Sequence, residues 1–228
     1  YLITQKEDII NPYYFTYTLS ECLRDNDIFV MANGSACVCP FQNAVIKEKQ
    51  RYILNSGNAS MGFGLPAAIG ACYERGNRNV VCLEGDGSIM MNIQELQTVV
   101  HNNLPIKLFI INNSGYSSIR QTQRNFFNGR MTGSGNDSGV SVPKFTEVGK
   151  AFGLKTKRII NPKTMKDEIS KVLMTEGAVL CEVMTEKEYA FLPKLSSKKL
   201  PDGSMVSPTL EDMFPFLDRE DCNSNIMK

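Results

Sequence analysis

Gly85-Asp86-Gly87-Ser88 and, two dozen positions further on, Asn112-Asn113 are the residues of this chain whose types and spacing fit one piece of chemistry. A carboxylate and a side-chain amide oxygen are hard donors suited to magnesium, which keeps octahedral geometry and completes its shell from water or phosphate. Gly87 would let the backbone approach phosphate oxygens closely. With Ser88 beginning a helix, the free N–H groups and the positive dipole end would face the anion. Either half alone is ordinary turn chemistry, but the pair reads as one metal-diphosphate site.

The surrounding pattern says what must hold these residues. Val80-Val81-Cys82-Leu83 is a short apolar run that stops at the Gly-Asp-Gly turn, and Ile106 to Ile111 is another that stops at Asn112-Asn113, so both read as buried strands. Between them, Ile89, Ile93, Leu96 and Val100 share one face of an amphipathic helix closed by Pro105. A right-handed β-α-β crossover makes the strands parallel and brings both carboxyl ends to the edge where open α/β sheets bind ligands. Asp86 and Asn113 can then meet.

Outward from this unit the spacing predicts helices over 13–24, 66–75, 143–152 and 163–176. It predicts strands over 28–31 and 178–184, the first ending at another strand-end loop, Asn33-Gly34-Ser35. Segment 124–142 holds several glycines and little periodic apolar content. It reads as a long mobile loop, placed either as an active-site lid or as a segment without function. The expected fold class is α/β, a three-layer α/β/α arrangement with a mainly parallel central sheet. Residues 1–192 would form the domain, and 193–228 a tail that packs through the apolar patch at 213–217.

With 228 residues and 42% hydrophobic content, the chain is sized for one α/β domain. Twenty-five basic and 24 acidic side chains are interspersed, giving a net charge of +1. That balance offers no basic face for nucleic acid or an anionic membrane, and points to a small-molecule partner. No apolar run reaches the roughly 18 residues of a membrane span, and Tyr1 to Asp8 does not form a leader, so a soluble cytoplasmic protein is expected. Seven scattered cysteines fit a reduced compartment, and Cys37-Val38-Cys39 lacks the two-residue spacer of a redox or zinc motif. The glycines at 57, 62 and 64 lack dinucleotide-binding spacing. A serine or cysteine hydrolase would need a base, and the single histidine, His101, stands beside Asn102-Asn103 near a helix end.

The Gly85-Asp86-Gly87 and Asn112-Asn113 pair, the segment Gly57 to Ala71 and the run Asn112 to Tyr116 together resemble the thiamine diphosphate enzymes, nearest to their acetolactate synthase-like group. The resemblance covers roughly residues 10 to 190. It implies that the side chains of Asp86 and Asn113 and the main-chain carbonyl of Gly115 hold Mg2+. It places Gly85, Gly87, Ser88 and Tyr116, with Gly34, Ser35 and Ala36 of the first loop, around thiamine diphosphate. Acetolactate synthases usually carry glutamine and histidine at the places of Ser35 and Ala36. Met61 would support the bent cofactor, and the carbonyl of Ala59 would accept a hydrogen bond from the cofactor's amino group.

The same resemblance puts the glutamate that activates the cofactor on a separate pyrimidine-binding domain, outside this chain; Glu84 and Glu95 read as structural or surface residues. The chain would be a fragment of a longer enzyme, as its start at Tyr1 favours, or one subunit of a split one. It would be inactive alone and work in a homodimer or homotetramer. The implied reaction is decarboxylation of a pyruvate-like 2-oxo acid with transfer of the acyl carbanion to a carbonyl acceptor. Thr122 stands where acetolactate synthases carry a tryptophan, so a different acceptor is expected. Simple 2-oxo acid decarboxylation, or a noncatalytic cofactor-binding or regulatory domain, is the alternative.

Overall fold

The computed structural model describes residues 8–74, 76, 80–195, 198–199, 202, 204–207 and 209–225. The first helix, α1 (Pro12–Cys22), starts where Asn11 Oδ1 accepts the N–H groups of Tyr13 (2.8 Å) and Tyr14 (3.3 Å), with proline in the first turn where no N–H is missed. The chain then alternates: β1 (Ile28–Met31), α2 (Ser35–Asn43), β2 (Arg51–Leu54), α3 (Gly64–Glu74), β3 (Val80–Gly85), α4 (Asp86–Ile89), a 3₁₀ turn at Ile93–Glu95, α5 (Leu96–His101) and β4 (Ile106–Asn112). It continues through α6 (Ser117–Phe126), α7 (Phe145–Ala151), β5 (Lys155–Ile159), α8 (Met165–Met174) and β6 (Val179–Met184).

Among the described residues six strands form one parallel sheet in the order β2-β1-β3-β4-β6-β5. Strand alternation divides the core between the two faces. Phe29, Val81, Leu83, Phe109 and Ile111 pack against α1 and α8, while Val30, Cys82, Leu108 and Ile110 pack against α3, α5 and α7. The three-layer architecture expected from the pattern is therefore present. The chain leaves β1 toward one side of the sheet and β3 toward the other, so the loops after these neighbouring strands diverge and open a crevice at the carboxyl edge.

Several elements depart from the sequence reading. The helix expected over 89–100 is broken: α4 ends at Ile89, and Asn92 turns the chain while its Nδ2 donates to Gly62 O (2.9 Å) before α5 begins. Val99, not Val100, fills the buried position on α5. Helix α4 opens at Asp86 rather than Ser88. Helices α2 and α6 and strands β2 and β5 had no apolar periodicity to reveal them. Residues 124–126 of the segment expected to be a long loop belong to α6, and beyond them Gln123 Nε2 donates to Thr132 O (2.7 Å) and Ser138 Oγ accepts from Ser134 N and Gly135 N (3.0 Å each). Arg75, the last residue of one expected helix, lies outside the described residues.

The chain divides into two compact units, Tyr1–Tyr189 and Ala190–Lys228. Within the second, β7 (Lys198–Lys199) pairs antiparallel with β8 (Met205–Val206), and α9 (Arg219–Asn225) is joined through Arg219 to Asp212 (2.8 Å). Phe214 and Phe216 meet edge to face at 5.7 Å. Among the described residues no helix is long and apolar enough to cross a membrane.

Phe109 is fully buried at the centre of the sheet, beside Leu83 and Cys181 in register and 6.1 Å from the ring of Phe15. Phe109→Ala is expected to cost about 3–5 kcal/mol in urea unfolding, whereas Phe126→Ala, at a side chain 77% exposed, should shift stability by less than about 0.5 kcal/mol. Equal losses at the two positions would contradict this placement of the core.

Candidate functional site

Three loops meet in the crevice. Asn33, Gly34 and Ser35 follow β1, Gly85 to Ser88 follow β3, and Asn113 and Gly115 to Ile119 follow β4. Together with Met61 they line a cleft of about 130 Å³. Its centre is Asp86, a carboxylate only 1% exposed. Oδ1 accepts the N–H of Gly87 (2.7 Å), and Oδ2 accepts those of Gly115 (2.9 Å) and Asn113 (3.1 Å). Register explains why they reach it: Gly85 pairs with Ile111, so β3 and β4 end side by side. Burial pushes the Asp86 carboxyl up to about 6, against the pull of these N–H groups and of the Arg120 charge. The N–H groups and the Arg120 charge thus offset only part of the cost of burying this carboxylate.

Gly87 is required by space. A Cβ on it would sit 2.3–3.0 Å from atoms of the Tyr116 ring. Ser88 does not open the helix; its Oγ accepts Gly62 N (3.0 Å), and with Asn92 it staples the loop that carries Met61. Gly62 sits at φ +77°, where a side chain would also strike Met91 and Asn92. Met61, 42% exposed, is held at the cleft wall by that staple. Gly34, at φ +54°, brings the β1 loop close to α6, since a Cβ there would lie 3.4 Å from Ser118 Oγ. Ser35 pairs through its hydroxyl with the phenol of Tyr189.

Two residues of the sequence reading stand apart from the others. Ala36 is fully buried in the core under β1 and does not line the cleft. Ala59, at φ +50°, lies outside the cleft lining, and its carbonyl already accepts Asn33 Nδ2 (2.9 Å). Asp86 and Asn113 meet through the Asn113 main chain, while Asn113 Oδ1 lies 3.4 Å from Arg120 Nη2. Asn112 is structural: Nδ2 donates to Glu182 (2.7 Å) and Oδ1 accepts Ser114 N (3.1 Å). Glu84 is fully buried, with Oε1 accepting Leu65 N at the start of α3 (3.2 Å), and burial pushes its carboxyl up to about 7. Glu95 accepts Thr98 Oγ1 (2.8 Å).

Sequence reasoning missed Asn33, Ser117, Ser118, Ile119, Tyr189 and, above all, the buried Arg120. The cleft-lining serines and Ile119 fall in a polar stretch without hydrophobic period. The only available signal for Arg120 was a lone cation seven positions after Asn113.

Residues 32–183 match the model of a family described as thiamine pyrophosphate enzyme, C-terminal TPP binding domain. The chain belongs to this family. It is 34% identical to the acetolactate synthase large subunit of Porphyra purpurea over 83% of its own length and 32% of the relative's. It is 32% identical to the chloroplastic acetolactate synthase 1 of Nicotiana tabacum over 83% of the chain and 29% of that protein. To the acetolactate synthase isozyme 2 large subunit of Escherichia coli it is 34% identical, over 75% of the chain and 30% of the relative. The chain thus spans about a third of the length of these relatives.

The cleft can be tested against the divalent cation expected from the sequence. Among the described residues no group of three His, Cys, Asp or Glu side chains could hold a metal. Asp86, Asn113 and Gly115 line the same cleft, and a carboxylate, an amide oxygen and a main-chain carbonyl are oxygen donors of the kind that suits magnesium completed by phosphate. The residues fit.

Because Gly87 is constrained by the Tyr116 ring and not by a left-handed backbone, Gly87→Ala should destabilise the protein by about 1–3 kcal/mol in urea unfolding, and adding Tyr116→Ala should recover most of that loss. Strictly additive losses in the double-mutant cycle would show that the ring is not the obstacle.

Proposed function

We propose that this chain is the magnesium- and thiamine diphosphate-binding portion of an enzyme that decarboxylates a pyruvate-like 2-oxo acid and transfers the acyl carbanion to a carbonyl acceptor. The observation that carries the reading is the buried Asp86 carboxylate, oriented by three main-chain N–H groups at the divergence of β1 and β3. In this reading Asp86, the Asn113 amide oxygen and the Gly115 carbonyl hold Mg2+. Gly85, Gly87 and Ser88 border the diphosphate, with Gly34, Ser35 and Tyr116 around it. Met61 supports the cofactor from the stapled loop. The bound cofactor supplies the electron sink that lets a 2-oxo acid lose carbon dioxide.

Neither nearby glutamate is placed to activate that cofactor. Glu84 is sealed beneath α3, where a Cβ on Gly64 would strike its carboxylate at 2.5 Å, and Glu95 is occupied by Thr98. In this reading the activating carboxylate belongs to a pyrimidine-binding domain or subunit, and the working enzyme is a homodimer or homotetramer that shares the site. Thr122, exposed on α6 with its hydroxyl turned to Ser118 O (3.2 Å), leaves the acceptor side without a bulky aromatic and favours an acceptor other than that of acetolactate synthases. The seven scattered cysteines suit a reducing compartment such as the cytoplasm; the tobacco relative is chloroplastic by name.

Calorimetry of thiamine diphosphate with Mg2+ on the full-length protein should show binding that EDTA removes, that Asp86→Ala abolishes and that Asn113→Ala weakens strongly. Wild-type affinity in both variants would sink the ligand assignment.

The 228-residue chain alone, given pyruvate, Mg2+ and thiamine diphosphate, should release no carbon dioxide. Restoring the pyrimidine-binding domain should yield turnover from a species that light scattering measures as a dimer or larger. Activity in the isolated chain, or in a persistent monomer, would refute the shared site.

A further inference from the structure

Arg120, on α6, is 7% exposed, and its guanidinium is ringed by main-chain carbonyls. Nη2 donates to Asn113 O and to Lys187 O, each at 3.0 Å. Nη1 donates to Ser134 O (2.9 Å) and reaches Ser114 O (3.4 Å). Nε lies 3.5 Å from Glu188 Oε1, while the other oxygen of that carboxylate pairs with Arg124. The Asn113 and Ser114 carbonyls belong to the two peptide units that link Asn113 to Gly115.

Those units are not conformations the chain adopts freely. Ser114 sits at φ +62° and Gly115 at φ +125°, and a non-glycine residue in the left-handed region persists only where its surroundings over-determine it. Space is cleared for the clamp as well. A Cβ on Gly115 would lie 2.6 Å from Ser134 O and 3.3 Å from Arg120 Nη1, and one on Gly135 would lie 3.5 Å from the same nitrogen. The Arg120 charge also favours the Asp86 carboxylate, but beside a magnesium ion a second cation is electrostatically unfavourable, so the role assigned here is geometric.

We propose that Arg120 is a positioning residue that sets the ligating geometry of the Asn113–Gly115 loop, fixing the two peptide units between the ligands and tying them to the backbone at Ser134 and Lys187. The proposal rests on the magnesium reading given above. Partners behind metal ligands typically change metal affinity about 10–100-fold when removed. A planar five-donor fork can hold several carbonyls at once, which a lysine ammonium cannot reproduce.

The test uses the full-length protein with Arg120→Lys and Arg120→Gln, and Arg124→Gln as a control that removes the other cation paired with Glu188. Metal affinity is read by electron paramagnetic resonance titration with Mn2+ in the presence of thiamine diphosphate. Loop order is read by hydrogen exchange of amides 113–116 and 134–135 in the metal-free protein, and folding by thermal unfolding. We expect both Arg120 variants to fold, to bind Mn2+ about 10–100-fold more weakly and to exchange these amides faster, with Arg124→Gln like wild type. Folded Arg120 variants with wild-type affinity and exchange would overturn the proposal. So would failure of both variants to fold, which would make Arg120 a folding residue. If wild type itself binds no Mn2+ while the Arg120 variants still loosen the loop, the magnesium reading falls and takes the ligating role with it.

Discussion

A carboxylate taken out of water must be paid back in hydrogen bonds or in a countercharge, and the fold is arranged around that requirement at Asp86. Two strands ending in register bring three N–H groups to its two oxygens, and the sheet's reversal of direction between β1 and β3 opens the space in front of it. The hydrogen bonds orient the group without fully offsetting its charge, as the upward displacement of its ionisation shows. Structure and chemistry agree here because the same backbone groups that end the strands also aim the ligand.

The second buried acid plays a different part. Glu84, one step before the Gly-Asp-Gly turn, accepts an N–H at the start of α3 and leaves no room for a side chain on Gly64, so helix and strand approach closely. The α3 helix in turn follows the loop whose staple through Ser88 and Asn92 fixes Met61. One strand end therefore organises the cleft in two directions, forward through Asp86 and sideways through Glu84 and Ser88.

How much of this was legible depends on which force writes the pattern. Buried parallel strands must be apolar on both faces, so the runs at 80–83, 106–111 and 178–184 announced β3, β4 and β6, and the Asp86 and Asn113 turns with them. The edge strands β2 and β5 carry Arg51, Lys155, Lys157 and Arg158 and announced nothing. Helix α6 was illegible for a related reason: its buried face presents Ser117 to the Tyr189 phenol and Arg120 to carbonyls instead of hydrocarbon to a core. The break at Asn92 was hidden because the apolar spacing continues across it. The segment after α6 looked loose by composition, yet its order comes from side chains reaching in from elsewhere, which composition does not encode.

The grip on Asp86 comes entirely from main-chain N–H groups, and this has a genetic consequence. Every residue except proline brings the same donor, so a change of side chain at Gly87, Asn113 or Gly115 acts on these hydrogen bonds only through the path of the chain. Two of the three donors, Gly87 and Gly115, are nonetheless restricted by size, because a Cβ at either would meet the Tyr116 ring or Ser134 O, and Asn113 is free in its amide but not, on the magnesium reading, in its side-chain oxygen.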